Sequence, residues 1–310
     1  MTVEIIGTES LGVRSLCCLV TTGKRRIVID PGLALGYFRH GLLPHPCQIV
    51  VGARVRQRII DALSQATDVI FSHLHGDHVP LAHANPYQLS IDHLPPDIRR
   101  LTCWSKAPED LSPRMQQRFH DLADLFGKLP VAEGCCQGPL TFSEAVPHGM
   151  PNSPFGNLMM SRIDMGNKIF VHASDIQLLD ATTVRRIIEW QPDIVLAAGP
   201  PIYLGALTAE QRGRAWNSAL HLCDNVDVVI LDHHLMRCEE GAYWLDALGE
   251  RAGKRVYCAA DYMNRPRWLL EARRSQLYRL IPVPAGWHEQ YAIGQADAEP
   301  YFDEAVLEST

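Results

Sequence analysis

The sequence predicts an α+β fold, and three of its features lead to that class. Short apolar runs with the character of strands alternate with amphipathic stretches whose apolar residues recur with a helical period. The residues best suited to bind a metal follow directly after predicted strands, which places them at the ends of a sheet. The chain has 310 residues and shows no linker or internal repeat, so we expect one domain spanning residues 1–310.

Composition and charge narrow the class of protein. Apolar residues at 46% and charged residues at 21% are ordinary for a globular chain. The net charge of −6 weighs against non-specific binding to nucleic acid, which needs a basic face. Nine cysteines without a Cys-x-x-Cys motif favour reduced thiols. We also see no signal peptide or membrane-length apolar run, so we expect a cytoplasmic protein with no membrane partner and leave a homo-oligomer open.

The first hundred residues predict strands around one helix. The strands are residues 3–6, 14–21, 25–30 and 67–71. Residues 33–52, which contain several glycines and prolines, predict an irregular loop. The spacing of Val55, Ile59 and Leu63 predicts an amphipathic helix over residues 54–65.

The rest of the chain alternates between the two element types. Strands are predicted at residues 101–104, 140–146, 158–164, 168–172, 193–197, 226–231 and 255–258. Helices are predicted at residues 113–126, 182–190, 208–223, 239–252 and 267–275. The tail from about residue 281 is rich in proline and then acidic, so we expect it to be peripheral.

One motif organises the sequence. It reads His73-Leu74-His75-Gly76-Asp77-His78 and follows the strand at residues 67–71. Because side chains alternate along an extended backbone, His73 and His75 emerge on one face. The glycine permits a change of direction, after which Asp77 and His78 face a second point in space. Such imidazole and carboxylate groups suit two neighbouring metal ions, and the lack of nearby thiolates favours zinc, iron, manganese or cobalt.

This His-x-His-x-Asp-His pattern resembles the signature of the metallo-β-lactamase superfamily. Further stretches resemble a largely archaeal branch whose members are described as predicted metal-dependent hydrolases and sometimes as predicted ribonucleases. These stretches are Phe170–Asp175, Gly199–Leu204 and Ile230–Leu235, and the similarity extends to about residue 265. The resemblance implies a four-layer αββα sandwich in which one edge of two packed sheets holds the metals.

The resemblance also implies a ligand set for two divalent metal ions, with zinc as the first expectation and manganese or iron as alternatives. The implied ligands are His73, His75, Asp77, His78, His148, Asp175 and His233. Asp175 is implied to bridge both ions, because the two oxygens of a carboxylate can hold cations about 3.5–4 Å apart and an imidazole cannot. We prefer His233 over His234, because adjacent side chains cannot both point at one site without a kink.

Three carboxylates are candidate catalytic residues. Asp77 belongs to the motif itself. Asp30 ends a strand before Pro31-Gly32, where turn chemistry would equally explain it, but the resemblance implies that it supports the metal loop from behind. Asp232 is expected to orient a histidine through its second ring nitrogen, as metal-bound imidazoles commonly require.

These observations predict a metal-dependent hydrolase. Two metals would lower the pKa of a water from near 15.7 toward about 7, and the substrate would be a phosphodiester, ester, lactone or amide. The alternatives are a metal-dependent ribonuclease and a non-hydrolytic di-iron redox or metal-binding protein, so the partner is a small molecule, a nucleotide or RNA. Predicted elements fill the segment between Asp175 and His233, which argues against an inserted nucleic-acid-clamping domain. Arg237 and Lys168 are candidates to bind an anion, although solvated surface charge is the simpler interpretation of each.

Overall fold

The computed structural model describes residues 1–109 and 111–309. Its first sheet contains five strands in sequence order: β1 (Thr2–Thr8), β2 (Leu16–Thr22), β3 (Arg25–Ile29), β4 (Asp68–Phe71) and β5 (Thr102–Ser105). Strands β1, β2 and β3 are antiparallel neighbours, whereas β3, β4 and β5 run parallel. All the strands predicted before residue 105 therefore belong to one sheet.

A second sheet forms from the later strands. These strands are β6 (Cys136–Gln137), β7 (Leu140–Phe142), β8 (Val146–Pro147), β9 (Asn157–Leu158), β10 (Ser161–Asp164), β11 (Ile169–Ser174), β12 (Ile194–Ala197) and β13 (Val228–Leu231). Six of them form the sheet in the order β13-β12-β11-β10-β7-β6, and β8 pairs with β9 separately. Strands β10 and β11 form the predicted hairpin, while β11, β12 and β13 run parallel.

Helices cover the outer faces of both sheets. They are α1 (Pro46–Gln65), α2 (Pro113–Phe126), α3 (Ala181–Glu189), α4 (Ala209–Asn225), α5 (Glu239–Ala252), α6 (Ala259–Tyr262), α7 (Arg274–Leu280), α8 (Trp287–Ala292) and α9 (Glu304–Ser309). Helices α1 and α2 pack on the first sheet, and α3, α4 and α5 pack on the second. This order of layers confirms the predicted four-layer αββα sandwich. Among the described residues, no helix combines the length and the apolar character needed to cross a membrane.

The alternation of side chains along a strand explains the two cores of the sandwich. Ile5 of β1 lies in the core between the sheets, while its neighbour Ile6 faces α1. In β2, Cys18 likewise lies in the core between the sheets, and Cys17 lies in the core on the α1 side. Because both faces of the first sheet are covered, its strands are apolar on both sides.

Several predicted elements differ from the structure. Helix α1 begins at Pro46, well inside the predicted loop of residues 33–52, because the His45 side chain caps it and Pro46 suits its first turn. The predicted strand at residues 255–258 reduces to one bridge between Tyr257 and Ile230. The predicted strand at 140–146 divides into β7 and β8.

The carboxyl-terminal predictions also need correction. The chain near Trp268 is extended rather than helical, because its N–H donates to the Ser10 carbonyl and it bridges to Leu11; the helix begins only at Arg274. The tail is not peripheral. Trp287 and Leu307 are buried in the core that α1 forms with the first sheet.

Candidate metal centre

The predicted site residues follow strands of both sheets and meet at one edge. Asp30 follows β3, the His-x-His-x-Asp-His motif follows β4, Asp175 follows β11, and the His233-His234 pair follows β13. These strands are parallel within their sheets, so their carboxyl ends lie at the same edge. His148 joins them from the loop after β8.

The backbone turns sharply at two points of this edge. Asp30 and Ser174 have φ angles of 49° and 50°, in the left-handed region that non-glycine residues seldom occupy. The Ser174 hydroxyl donates to Asp30 Oδ2 at 3.0 Å, so the two turns are joined. Strained backbone of this kind is concentrated at functional sites, where the surrounding structure holds it in place.

One group of potential ligands contains three imidazoles and a carboxylate. His73, His75, His148 and Asp175 each place one ligand atom within 4.8 Å of the others. His148 Nε2 lies 3.0 Å and His73 Nε2 3.5 Å from Asp175 Oδ2. Three imidazoles and one carboxylate oxygen form a ligand set that suits a divalent transition metal.

A second group lies beside the first. It contains Asp77, His78 and His233, whose ligand atoms also lie within 4.8 Å of one another. His233 Nε2 is 3.4 Å from Asp77 Oδ2. The other oxygen of Asp175, Oδ1, lies 3.1 Å from His78 Nε2 and 3.8 Å from His233 Nε2. The carboxylate of Asp175 therefore faces one group with each of its oxygens.

Asp30 lies behind the motif and holds it. Its Oδ1 accepts the Ser72 N–H at 2.8 Å, and its Oδ2 accepts the Ser72 hydroxyl at 2.6 Å. His78 Nδ1 lies 3.0 Å from the same Oδ2. Burial alone would raise the pKa of Asp30, but the hydrogen bond and charge of His78 lower it to about 2. The geometry places Asp30 where the resemblance implied.

The donor atoms pass a test of whether cations fit between them. Buried His78 Nε2 and Asp175 Oδ1 lie 3.1 Å apart without the geometry of a hydrogen bond, and neither has another hydrogen-bond partner among the described residues. Buried polar atoms without partners are uncommon and costly, so these atoms indicate a missing charged ligand. Burial also lowers the pKa of His73 to about 4 and that of His75 to about 2, so both rings are neutral and carry a lone pair at pH 7. These side chains could hold metal ions.

His234 is a site residue that sequence reasoning set aside. Its Nε2 lies 3.2 Å from Asp175 Oδ2 without the geometry of a hydrogen bond, and its buried Nδ1 has no hydrogen-bond partner among the described residues. The expectation that only one of these two neighbours can face the site was wrong, because the chain kinks there. His234 has helical backbone angles and begins the 3₁₀ turn Leu235–Arg237. Both His233 and His234 therefore face Asp175. The sequence feature that could have identified His234 is the pair of histidines that directly follows a strand.

The expected role of Asp232 is also wrong. Its Oδ1 accepts the Thr8 hydroxyl at 2.6 Å and the Ser10 N–H at 3.0 Å, and its Oδ2 accepts the Ala259 N–H at 2.8 Å. Asp232 thus fastens the loop after β1 rather than a histidine ring. The residue held between its two partners is Glu9, which no sequence pattern distinguished.

An open cavity of about 330 Å³ leads to the two groups. His75, His148 and His234 lie at its base, and Phe155 contributes to an apolar wall. Arg237 lines the same cavity although it is only 7% exposed, and its Nη1 donates to the Tyr203 hydroxyl at 3.3 Å. The interpretation of Arg237 as solvated surface charge was therefore wrong, whereas Lys168 is exposed on the turn between β10 and β11.

The fold is also that of solved metallo-β-lactamase-like structures. The isothiocyanate hydrolase from Delia radicum gut bacteria aligns with a TM-score of 0.50, covering 80% of this chain and 95% of that chain at 15% identity. The likeness at this identity concerns the fold alone. With the four layers and the candidate metal-binding edge described above, it defines the chain as a metallo-β-lactamase-fold protein, as the motif predicted.

Sequence comparison then places the chain within this class. A UPF0282 protein of Methanosarcina mazei is 44% identical over 302 residues, covering 97% of this chain and 99% of the relative. A UPF0282 protein of Thermococcus kodakarensis is 34% identical over 292 residues, covering 90% and 96%. No protein-family model matches the chain. The chain belongs to the UPF0282 family, in agreement with the archaeal branch predicted from its motifs.

Proposed function

We propose that this protein is a metal-dependent hydrolase with a dinuclear centre. The observation that carries the proposal is the position of Asp175, whose two oxygens face two separate groups of imidazoles. His73, His75 and His148 would hold one ion, and Asp77, His78 and His233 would hold the other. Asp175 would be shared by both, since a carboxylate offers two ligand oxygens.

When bound, two such cations would supply an activated water near neutral pH and would polarise an oxygen of the substrate. The residues around them fix the ligands. Asp30 holds the outer nitrogen of His78, and the Gln177 amide lies 3.2 Å from His148 Nδ1. Outer contacts of this kind select the ring tautomer and orientation that a ligand needs. His234 and Arg237 are left to contact the substrate from the cavity.

Arg237 favours an anionic substrate such as a phosphodiester over a neutral ester or lactone. It is a buried guanidinium at the cavity, and guanidinium groups match phosphate and carboxylate oxygens in shape and charge. A second cavity, lined by Arg39 and Arg212, shares the Tyr203 side chain with the first. Two adjoining cavities with arginines support a nucleotide or RNA substrate, so ribonuclease activity is the second candidate.

The first experiment measures the metal content of the purified chain and its hydrolysis of three probes. The probes are bis-p-nitrophenyl phosphate, p-nitrophenyl acetate and a short RNA. Two zinc or manganese ions per chain with diesterase activity would support the proposal, and cleavage of RNA would favour the second candidate. A chain that binds no metal after reconstitution would contradict both. The Arg237→Met variant should lose diester hydrolysis while its metal content stays at two.

A further inference from the structure

Glu9 lies in the loop after β1 and is fixed there by its neighbours. Asp232 accepts hydrogen bonds from Thr8 on one side and from Ser10 on the other. The Ser10 hydroxyl also accepts the Ala260 N–H at 2.9 Å. The backbone of Glu9 is therefore held on both sides, and its side chain is 3% exposed.

The carboxylate of Glu9 faces two groups that can donate hydrogen bonds. Its Oε2 lies 3.8 Å from His233 Nδ1, and its Oε1 lies 3.7 Å from Arg237 Nε. Neither oxygen has a hydrogen-bond partner among the described residues. A buried carboxylate without partners is costly, so a small closing of these two distances would stabilise it.

The ring of His233 has two distinct sides. Its Nε2 faces Asp77 Oδ2 at 3.4 Å, toward the metal centre. The Arg237 Nη2 lies 2.9 Å from the same nitrogen. The same Nη2 lies 3.4 Å from Nδ1, so Nε2 is the nearer of the two nitrogens. Because a guanidinium can only donate, this contact favours a lone pair on Nε2, and a neutral ring then carries its proton on Nδ1. That proton points toward Glu9.

Three other rings of the centre show the same arrangement with different partners. Outer Nδ1 atoms lie 2.9 Å from the Ser72 hydroxyl at His73, 3.0 Å from Asp30 at His78, and 3.2 Å from Gln177 at His148. The Nε2 atoms of these rings face Asp175. At His233, the acceptor that faces the outer Nδ1 atom is the Glu9 carboxylate.

We infer that Glu9 is a positioning residue, which accepts the Nδ1 proton of His233 and so holds Nε2 toward the second ion. The inference rests on the proposed function, because it assigns His233 to the centre proposed above. Metal-bound histidines usually donate their second N–H to such a partner, and loss of the partner weakens metal affinity by about 10- to 100-fold. Glu9 would thus act through His233 without touching the substrate.

The test is a metal titration of the metal-free chain, measured by competition with a chromophoric chelator. Glu9→Gln keeps the volume and replaces the carboxyl group with an amide, and it should weaken binding of one of the two zinc ions by about 10- to 100-fold. Glu4→Gln is the matched control: Glu4 lies on β1, before the loop that contains Glu9, and pairs with Arg58 away from the centre, so both ions should bind as in the unmodified chain. If Glu9→Gln binds both ions as tightly as the unmodified chain does, the inference is overturned, and the proposed dinuclear centre is unaffected.

A second measurement needs no variant of Glu9. Nitrogen-15 shifts of the His233 ring in the metal-free chain, assigned by their loss in His233→Ala, report which nitrogen is protonated. A proton on Nδ1 supports the inference, and a proton on Nε2 overturns it. If the unmodified chain binds fewer than two ions, the proposed dinuclear centre fails, and this tautomer still decides the role of Glu9.

Discussion

Two regions of the molecule concentrate histidine, and they differ in how the ring nitrogens are used. In the tail cluster, formed by His45, Tyr87, Tyr278 and His288, protein groups contact every ring nitrogen. His45 Nδ1 accepts the Cys47 N–H at 3.1 Å, and its Nε2 lies 2.8 Å from the Ile281 carbonyl. His288 lies between the hydroxyls of Tyr87 and Tyr278, at 2.9 and 2.7 Å.

At the candidate metal-binding edge, the outer nitrogens of His73, His78 and His148 have partners, while several other buried atoms do not. His78 Nε2, both nitrogens of His234 and Asp175 Oδ1 are buried without a hydrogen bond among the described residues. The comparison teaches that the partners of buried ring atoms, rather than the number of histidines, separate a structural cluster from a ligand set. It gives four predictions, from the largest effect to the smallest.

The Asp175→Asn variant should remove the dinuclear centre. The amide keeps the volume of the carboxylate but loses its charge and one of its ligand oxygens. Loss of an outer partner alone costs about 10- to 100-fold in metal affinity, so loss of a ligand shared by two ions should cost more. Metal content should fall to one ion or none per chain, with hydrolysis lost. The control is Asp164→Asn, an exposed carboxylate at the far end of the same hairpin, and two ions retained in Asp175→Asn would contradict the bridging role.

Replacing His233 and His234 separately should distinguish ligand from substrate contact. His233 belongs to the group with Asp77 and His78, whereas His234 groups with Asp175 and His233 and lines the cavity. His233→Ala should therefore retain one ion, and His234→Ala should retain two with slower hydrolysis. Metal content by mass spectrometry checks both. The reverse result would exchange the two roles.

Most of the residues at this edge could be predicted from the sequence, because each predicted ligand follows a strand. Parallel strands bring such residues together wherever they lie along the chain, and the family resemblance added the expectation that Asp30 and Asp175 would lie beside the motif. The strands themselves were predictable from their continuous apolar runs. The fold class followed from the same pattern.

Long-range contacts and local backbone angles decided the rest. Glu9 faces His233 only because Asp232 holds Thr8 across 224 positions of sequence, and no local pattern reports such a contact. The kink at His234 depends on the 3₁₀ turn that follows it. The tail was expected to be peripheral from its composition, but a few apolar residues such as Trp287 bury it against α1.

In the tail cluster, replacement of a histidine should change stability and leave metal content unchanged. His288→Phe removes the partner of two tyrosine hydroxyls, and two lost hydrogen bonds should lower the free energy of unfolding by about 1–3 kcal/mol. Urea unfolding of the metal-free chain measures this change. The exposed His83→Gln variant is the control and should stay within about 0.5 kcal/mol. If His288→Phe loses metal, the tail cluster is not a purely structural histidine cluster, and the distinction between the two regions fails.

The smallest expected effect is a pH dependence that His45 contributes. Burial lowers the pKa of His45 to about 4, while an unfolded histidine has a pKa of about 6.5. As the pH falls below about 6.5, His45 binds a proton in the unfolded chain, whereas in the folded chain it binds that proton only at about pH 4. Stability from His45 is thus fully present above about pH 6.5 and is lost as the pH falls toward about 4.

Asparagine at position 45 can still cap α1 but does not titrate. In His45→Asn, the free energy of unfolding of the metal-free chain should therefore fall less steeply between pH 6.5 and 4. The slope should decrease by at most about 1.4 kcal/mol per pH unit, which is the linkage for one proton. His73, whose pKa burial also lowers to about 4, should account for part of the fall that remains. Parallel curves for the two chains would mean that His45 is protonated in the folded tail cluster, and that its ring nitrogens are not used as the hydrogen bonds indicate.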